Sequence, residues 1–364
     1  MFGFETIVMC DESKRMRDIN NAILLFPHYS LLNPDPHLEY NLSVKRNKLS
    51  RMLDLQPLLS AARQASALTR AIQRAGFDRA SKDDEGDPVT SADYGAQAVI
   101  CRALAAAYPD HAVIAEEGGK QFMTLLTDSQ RERIAERVGD AVGERVSVDQ
   151  VAAWLDHGRG VESDITWIID PIDGTKGYIA SRQYAIAIAA LADGEPIAGA
   201  IACPGYGRGL LFYAQRGGAF VEDLDGGKPD RIAVSNVTAF NQARIVGSLE
   251  RHKGDHPGAE LVYDALGIHA KQRAPVDSQA KYAMVACGDA DLFMRLMTAD
   301  GHRHWVWDHA PGVALVRAAG GVCSDMDGAP LRFNAGAAMP NRGMVISNGR
   351  LHDRLLDAIR LILE

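Results

Sequence analysis

Two aspartates three residues apart, Asp170 and Asp173, close the apolar run of WIIDPIDGTKGYIA (residues 167–180) and lead into Gly174, Thr175 and Lys176. Asp170 ends what reads as a strand. Asp173 follows a three-residue turn of Pro171, Ile172 and Asp173 itself, so both carboxylates converge at the strand's C-terminal mouth. Carboxylates that close repel each other unless a cation sits between them. Hard oxygen donors, with a backbone carbonyl such as that of Ile172 added, suit Mg2+. Gly174 and Thr175 then offer backbone N–H groups at a turn or helix start, where a phosphate oxygen is a favourable partner. Cation below and N–H donors above make a phosphate cradle, although an acidic turn with no ligand would carry the same letters.

Further acids recur along the chain. Glu116 and Glu117 follow a short apolar run and precede Gly118-Gly119; Asp93 opens a helix after PVTSA; Asp308 stands in WVWDHAPG, placed as an N-cap with Pro311 inside the first turn. Each has an ordinary reading of its own: a solvated loop end, a first-turn acid, a helix cap. His302, His304 and His309 bring an H-x-H beside an aspartate, but no second ligand pair stands at zinc spacing, and the hard acids give the better account. Trp305 and Trp307 alternate with Val306 as in a buried strand, which reads as core.

Four motifs in this order, DPVTSAD, EEG, WIIDPIDGT and WDHAPG followed by AAGG, resemble the inositol monophosphatase superfamily of Mg2+-dependent, lithium-sensitive phosphatases from about Leu55 to the C-terminus. The resemblance implies that Glu116, Asp170 and the Ile172 carbonyl hold one metal and that Asp170, Asp173 and Asp308 hold a second. It also implies that Asp93 hydrogen-bonds Thr175, which with Glu116 positions the attacking water. Such an arrangement is chemically sound. Metal ions neutralise the ester's oxygens and orient water for in-line displacement, so no covalent nucleophile is needed.

Finer features, PVTSADYGAQ, IDPIDGTKGY, LDHGR and PVDSQAKYAMVACGDADLFMRL, resemble the branch of 3′(2′),5′-bisphosphate nucleotidases, which remove the 3′-phosphate of adenosine 3′,5′-bisphosphate. That likeness implies nucleotide contacts from Glu250, Ser278, Lys281 and Arg295, with the two cations meeting a second phosphate. It would also link the protein to sulfur metabolism. Two departures stand out: LERHKGDH carries Lys253 where the branch has histidine, and His-Ala-Pro-Gly replaces Ala-Ala-Gly after Asp308. An inositol or sugar phosphate phosphatase is the alternative. A nucleotide-binding regulator without turnover is the reading from another class, and the presence of every expected acid and of Thr175 speaks against it.

The elements that must position these residues are legible in outline. The 364 residues, 47% of them hydrophobic, suffice for a sizeable core. Apolar positions Leu55, Leu58, Leu59, Ala62, Ala65, Leu68 and Ile72 keep helical spacing up to Gly76, and Thr90 or Ser91 caps a second helix reaching Pro109. Ala112 to Ala115 is a short strand, and a charged, helix-compatible insertion spans Lys120 to Asp164. TWIID, YAIAIAALA, PIAGAIAC, GLLFYAQ and GAFV read as strands, with hairpin turns at Asp193-Gly194 and Gly217-Gly218. After residue 230 the pattern alternates: ARIVGS, a helix about Ala259 to Leu266, YAMVACG, DADLFMRL, a helix from Asp308 to Ala319, then GMVISN. The expected fold is a layered α/β sandwich of the sugar phosphatase kind. Its expected parts are an extension over 1–50, an α+β part over 51–230 with most of the metal ligands, and an α/β part over 231–364 with the nucleotide contacts.

Charge and cysteines narrow the setting. With 39 basic and 47 acidic side chains the net charge is -8, which gives no footprint for nucleic acid or an anionic membrane. No apolar run reaches the about 18 residues of a membrane span. Five scattered cysteines without C-x-x-C suggest neither disulfides nor a thiolate zinc site, and a reducing cytoplasm is expected. The chain has no Gly-Lys-Ser/Thr P-loop, so the expected partner is a small phosphate ester and not a nucleoside triphosphate.

Overall fold

The structure, a computed structural model, describes residues 36–82, 88–248, 255–298 and 304–363. In chain order the elements are helix α1 (Pro36–Met52), α2 (Gln56–Ala75), a hairpin of β1 (Arg79–Ser81) and β2 (Pro88–Thr90), α3 (Ser91–Ala107) and β3 (Ala112–Ala115). Three helices fill the charged insertion: α4 (Gly119–Leu125), α5 (Asp128–Val142) and α6 (Val148–Leu155). Then come β4 (Ile165–Asp173), the single-turn α7 (Thr175–Ile179), β5 (Ala185–Ala192), β6 (Glu195–Cys203), β7 (Leu210–Gln215), β8 (Gly218–Asp223) and β9 (Asp230–Ile232). The remainder is β10 (Ile245–Gly247), α8 (Ala259–Ala265), β11 (Arg273–Pro275), α9 (Ala280–Ala286), β12 (Leu292–Arg295), α10 (Ala310–Ala318), β13 (Val322–Ser324), β14 (Met344–Ser347) and α11 (His352–Leu363).

Strands β3 to β9 form one seven-stranded sheet in sequence order, β3 parallel to β4 and every later pair antiparallel. A five-stranded sheet has the order β11-β10-β12-β14-β13. The chain passes from one sheet to the other between Ile232 and Ile245. Period-2 alternation then sorts the strand side chains into layers. On β5, Ile186 and Ile188 face α2 and α3, while Ala185, Ala189 and Leu191 face α9 and α10. On β12, Phe293 joins that same middle layer, whereas Leu292 and Met294 turn outward to α8 and α11. The result is five layers, helix, sheet, helix, sheet, helix, in which α9 and α10 are covered on both sides.

Local chemistry explains the boundaries. Helix α2 ends at Gly76, whose φ of +92° is open only to glycine at little cost. Helix α3 begins with a reciprocal capping box between Thr90 and Asp93. The run YAMVACG is helix α9, and it seats α10 tightly: a Cβ on Gly312 would lie 2.1 Å from the Tyr282 ring. Helix α10 also rests directly on β6, since a Cβ on Gly199 would lie 3.0 Å from that of Ala314. Among the described residues Cys101, Cys203, Cys287 and Cys323 are free, and no helix is long and apolar enough to cross a membrane.

Candidate active site

Parallel pairing brings the first two acids together. Ala115 is in register with Ile169, and the Glu116 N–H donates to the Ile169 carbonyl at 3.2 Å, so Glu116 and Asp170 leave adjacent strands side by side at their C-terminal ends. The Glu116 corner is braced from behind. Gln97 of α3 grips both the N–H (2.9 Å) and the carbonyl (2.7 Å) of Glu117, Arg159 donates to that carbonyl at 3.0 Å, and Asp156 accepts from Gly119 N–H at 3.0 Å. The LDHGR segment thus serves as a support for this corner.

Asp173 reaches the same mouth by a device the sequence reading did not contain. Where a turn is expected after Asp170, strand β4 continues and bulges: Asp170 pairs with Ala187 and Asp173 with Ala185, so β4 carries one residue more than β5 over this interval. Residues three apart on a regular strand face opposite sides; the extra residue lets both aspartates face one way. Gly174 then takes a φ of +88° and starts α7, with Thr175 at its first position. Thr175 Oγ1 donates to the Ile172 carbonyl at 3.1 Å and lies 3.4 Å from Asp93 Oδ1. Asp93 Oδ2 is occupied by the cap, accepting from Thr90 N–H (2.8 Å) and Thr90 Oγ1 (2.6 Å), which leaves Oδ1 for Thr175.

Asp308 corrects the expected N-cap. The cap of α10 is His309, with Pro311 in the first turn, and the Asp308 carboxylate instead joins the aspartates of β4. One carboxylate oxygen each from Asp170, Asp173 and Asp308 lies within 4.8 Å of the others. Burial, then the charges of Glu116 and Asp173, holds Asp170 well above the carboxylate range; burial followed by Asp173 and Glu116 does the same for Asp308. Burial pushes Asp173 up to about 6, with Lys281 opposing it, and burial with Glu116 pushes Asp93 up to about 7. An all-oxygen set that cannot bear its full charge by itself is the donor chemistry of a hard divalent cation. The residues present therefore fit a metal.

One participant escaped the sequence reading. Lys82, in the segment expected to be a polar loop, puts Nζ 2.5 Å from Glu116 and 2.6 Å from the fully buried Glu117. Burial works against the charge of Lys82, but Glu116 and Glu117 outweigh it and its pKa rises; Glu117 is pushed up to about 8 by burial and Glu116. The only advance signal was a lone basic residue in an acidic stretch.

Lys82, Glu116, Asp170, Asp173, Thr175 and Asp308 open into a cavity of about 1100 Å³, while Asp93 and Glu117 stand behind its wall. Of the expected substrate contacts, Ser278, Lys281 and Arg295 line it, and Glu250 lies outside the described residues. Ser278 has a φ of +69°, and its Oγ accepts from Ala280 N–H at 3.3 Å. Desolvation lowers the pKa of the half-buried Lys281, and Nζ donates to the carbonyls of Ser278 (2.9 Å) and Val276 (3.1 Å). Arg295 donates through Nε to Asp255 at 3.1 Å, while its Nη2 is a buried donor with no partner among the described residues.

The histidines and tryptophans differ from one another. His309 lies between Tyr282 Oη (2.7 Å, at Nδ1) and His304 Nδ1 (3.1 Å, at Nε2), so its ring nitrogens serve packing and not the acids; His302 is outside the described residues. Trp305 and Trp307 are not the buried core the alternation suggested. They stack on each other, centroids 5.2 Å apart and planes 7° apart, half-buried on the cavity wall.

Comparison with known proteins places the chain in a family. A family model described as the inositol monophosphatase family matches residues 54–364. An Arabidopsis thaliana protein named "Probable 3'(2'),5'-bisphosphate nucleotidase 4" is 35% identical over 334 residues, 85% of this chain and 95% of that one. The 3′(2′),5′-bisphosphate nucleotidase 1 of Candida albicans is 30% identical over 346 residues, 84% of this chain and 94% of its own. Among solved structures, the inositol monophosphatase of Thermotoga maritima superposes with a TM-score of 0.59 at 21% identity, covering 84% of this chain and 96% of that one, a likeness of fold.

Proposed function

The chain belongs to the inositol monophosphatase family, and from that premise we propose that it hydrolyses the 3′-phosphate of adenosine 3′,5′-bisphosphate with Mg2+ as the metal. The observation that carries the choice of a bisphosphate is Arg295 Nη2, a buried guanidinium donor without a partner among the described residues, on the wall of the cavity that holds the acids. A donor left so is costly unless a ligand accepts from it.

In this reading Glu116, Asp170 and the Ile172 carbonyl would hold one metal, and Asp170, Asp173 and Asp308 would hold a second. When bound, the metals supply charge neutralisation for the phosphate and acidify a water. The chain does the rest. Asp93 Oδ1 fixes the Thr175 hydroxyl, which with the Glu116 carboxylate orients the attacking water. The N–H groups of Gly174 and Thr175 face the phosphate oxygens. Lys281 and Arg295 hold the second, unreacting phosphate, with Ser278 and Glu250 toward the nucleoside.

One observation favours a second reading. The Lys281 ammonium is turned onto the carbonyls of Val276 and Ser278, as a reader of inositol or sugar monophosphates would tolerate. Phosphate release from adenosine 3′,5′-bisphosphate, inositol 1-phosphate, inositol 1,4-bisphosphate and fructose 1,6-bisphosphate, with Mg2+ and with EDTA, separates the readings. The nucleotide should be the best substrate and EDTA should stop the reaction. Lys281→Met and Arg295→Met should each raise KM for the nucleotide by roughly tenfold, the loss of one charge-assisted hydrogen bond, and leave inositol 1-phosphate nearly unchanged. Equal losses on both substrates would hand the protein to the second reading.

A further inference from the structure

The cavity extends well past the acids to a wall built by α8 and β11, and none of the groups assigned so far lies on it. Arg273 stands there, the first residue of β11, held to the sheet by the register Ile245↔Arg273. Its guanidinium lies 4.8 Å over the Tyr263 ring, and Nη1 is 2.6 Å from Glu260 Oε2. Glu260 and Tyr263 are three apart on α8 and so share one face. The ring contact and the ion pair together hold the guanidinium in place. A quarter of the Arg273 side chain is left exposed.

Charge decides what this wall accepts. A phosphate approaching Arg273 meets the Glu260 carboxylate 2.6 Å from the guanidinium, a like charge beside the attraction. Arg295 also has a carboxylate beside it, Asp255 at Nε, but its Nη2 has no hydrogen-bond partner among the described residues and is the better anion site. A neutral flat ring has no such conflict: a guanidinium already held over one aromatic ring is a preformed surface for another, and little side-chain freedom remains to be lost on binding. Of the other flat side chains lining the cavity, Tyr282, Phe293 and His309 are buried, His256 accepts from Gly258 N–H through Nδ1, and Trp305 and Trp307 stack on each other next to Asp308 at the acid end.

We infer that Arg273, held between Tyr263 and Glu260, is the surface on which the purine ring of a nucleotide ligand stacks, and so a residue that sets specificity. The inference deepens the nucleotidase reading and rests on it for the identity of the substrate, but its own test is one of binding. The wall sets base against no base: it adds affinity to a nucleotide and nothing to a sugar phosphate.

The test is calorimetric titration of the full chain and its Arg273→Met and Arg273→Lys variants with adenosine 5′-monophosphate and with ribose 5-phosphate, in Mg2+, after thermal unfolding confirms that each variant is folded. Arg273→Met should weaken the nucleotide by roughly tenfold, the scale of one stacked base. Arg273→Lys, which keeps the charge and loses the plane, should lose nearly as much. The ratio of kcat/KM for adenosine 3′,5′-bisphosphate over inositol 1,4-bisphosphate should fall by the same factor. Equal weakening of nucleotide and ribose 5-phosphate, full retention by the lysine variant, or no binding of the nucleotide to the unaltered chain would each overturn the inference. If the nucleotide binds through Arg273 but adenosine 3′,5′-bisphosphate is not hydrolysed, the nucleotidase reading falls and the stacking wall stands.

Discussion

Asp291 and Asp170 are both buried aspartates, one immediately before β12 and one within β4, yet their surroundings are opposite. Asp291 accepts from Arg244 N–H (2.6 Å), from Arg244 Nε (3.2 Å) and Nη2 (2.9 Å), and from the Ser235 hydroxyl. Its charge is answered from within the chain. Asp170 accepts from the Ile172 N–H at 3.1 Å and otherwise meets Glu116, Asp173 and Asp308. A buried carboxylate among carboxylates destabilises the fold until a cation arrives. The first aspartate therefore belongs to structure, and the second is an opening left for something from outside.

The largest expected break in this comparison is functional. Asp170→Asn should lower phosphate release by about 10³-fold, because it removes a ligand from the charge-stabilising set. Its unfolding midpoint in EDTA should stay level or rise, and Mg2+ should no longer raise it as it does for the unaltered chain. A drop in metal-free stability would show that Asp170 is answered internally after all. Asp291→Asn should do the reverse: about 2 to 3 kcal/mol of stability lost in urea unfolding, since the buried carboxylate gives up the charge-assisted hydrogen bonds it accepts, with kcat within twofold. Lost activity in a folded Asp291→Asn protein would erase the distinction.

The smallest effect concerns a second internally answered group. His352 sits between Ser324 Oγ and Ser347 Oγ, each at 3.0 Å, and burial lowers its pKa from 6.5 to about 4, Asp353 opposing only in part. With the folded value below the unfolded one, the unfolded chain takes up the proton first. Its contribution is complete above pH 6.5 and is lost as pH falls toward 4, about 2 kcal/mol of it by pH 5. His352→Asn should flatten this acid limb equally with and without Mg2+. A limb that changes with the metal would tie His352 to the acid cluster.

What the sequence disclosed follows from range. Asp170, Asp173 and Thr175 lie within six residues, and the cap of Asp93 on Thr90 is three residues long, so type and spacing carry them. The helix of Leu58 to Ile72 and the Asp193-Gly194 turn are legible for the same reason. The bulge at Asp173 was not, because it exists only relative to Ala185 and Ala187 on β5. Nor was Lys82 against Glu116, a pairing across 34 residues. Asp308 has the letters of an N-cap, and only the packing of α10 sends its carboxylate to β4 instead. Trp305 and Trp307 alternate like a core strand while standing at a cavity wall, since alternation reports two faces and does not say which of them is covered. Arg273 gave no signal at all; its meaning comes from Tyr263 and Glu260 on another element.

The acids come from two structural sources. Asp170 and Asp173 ride on β4 of the seven-stranded sheet, while Asp308 precedes α10, which lies between the sheets. The separation of the two sources is gauged by the seat of α10 on β6, where Gly199 meets Ala314 and the Pro311 carbonyl. That seat is a spacer whose thickness is one missing methyl. A methyl added at position 199 would lift α10 by a few tenths of an ångström and carry Asp308 with it, far from any reacting atom. Metal-ligand distances tolerate about that much and no more. The spacing of the acids is thus inscribed at a glycine that never touches them.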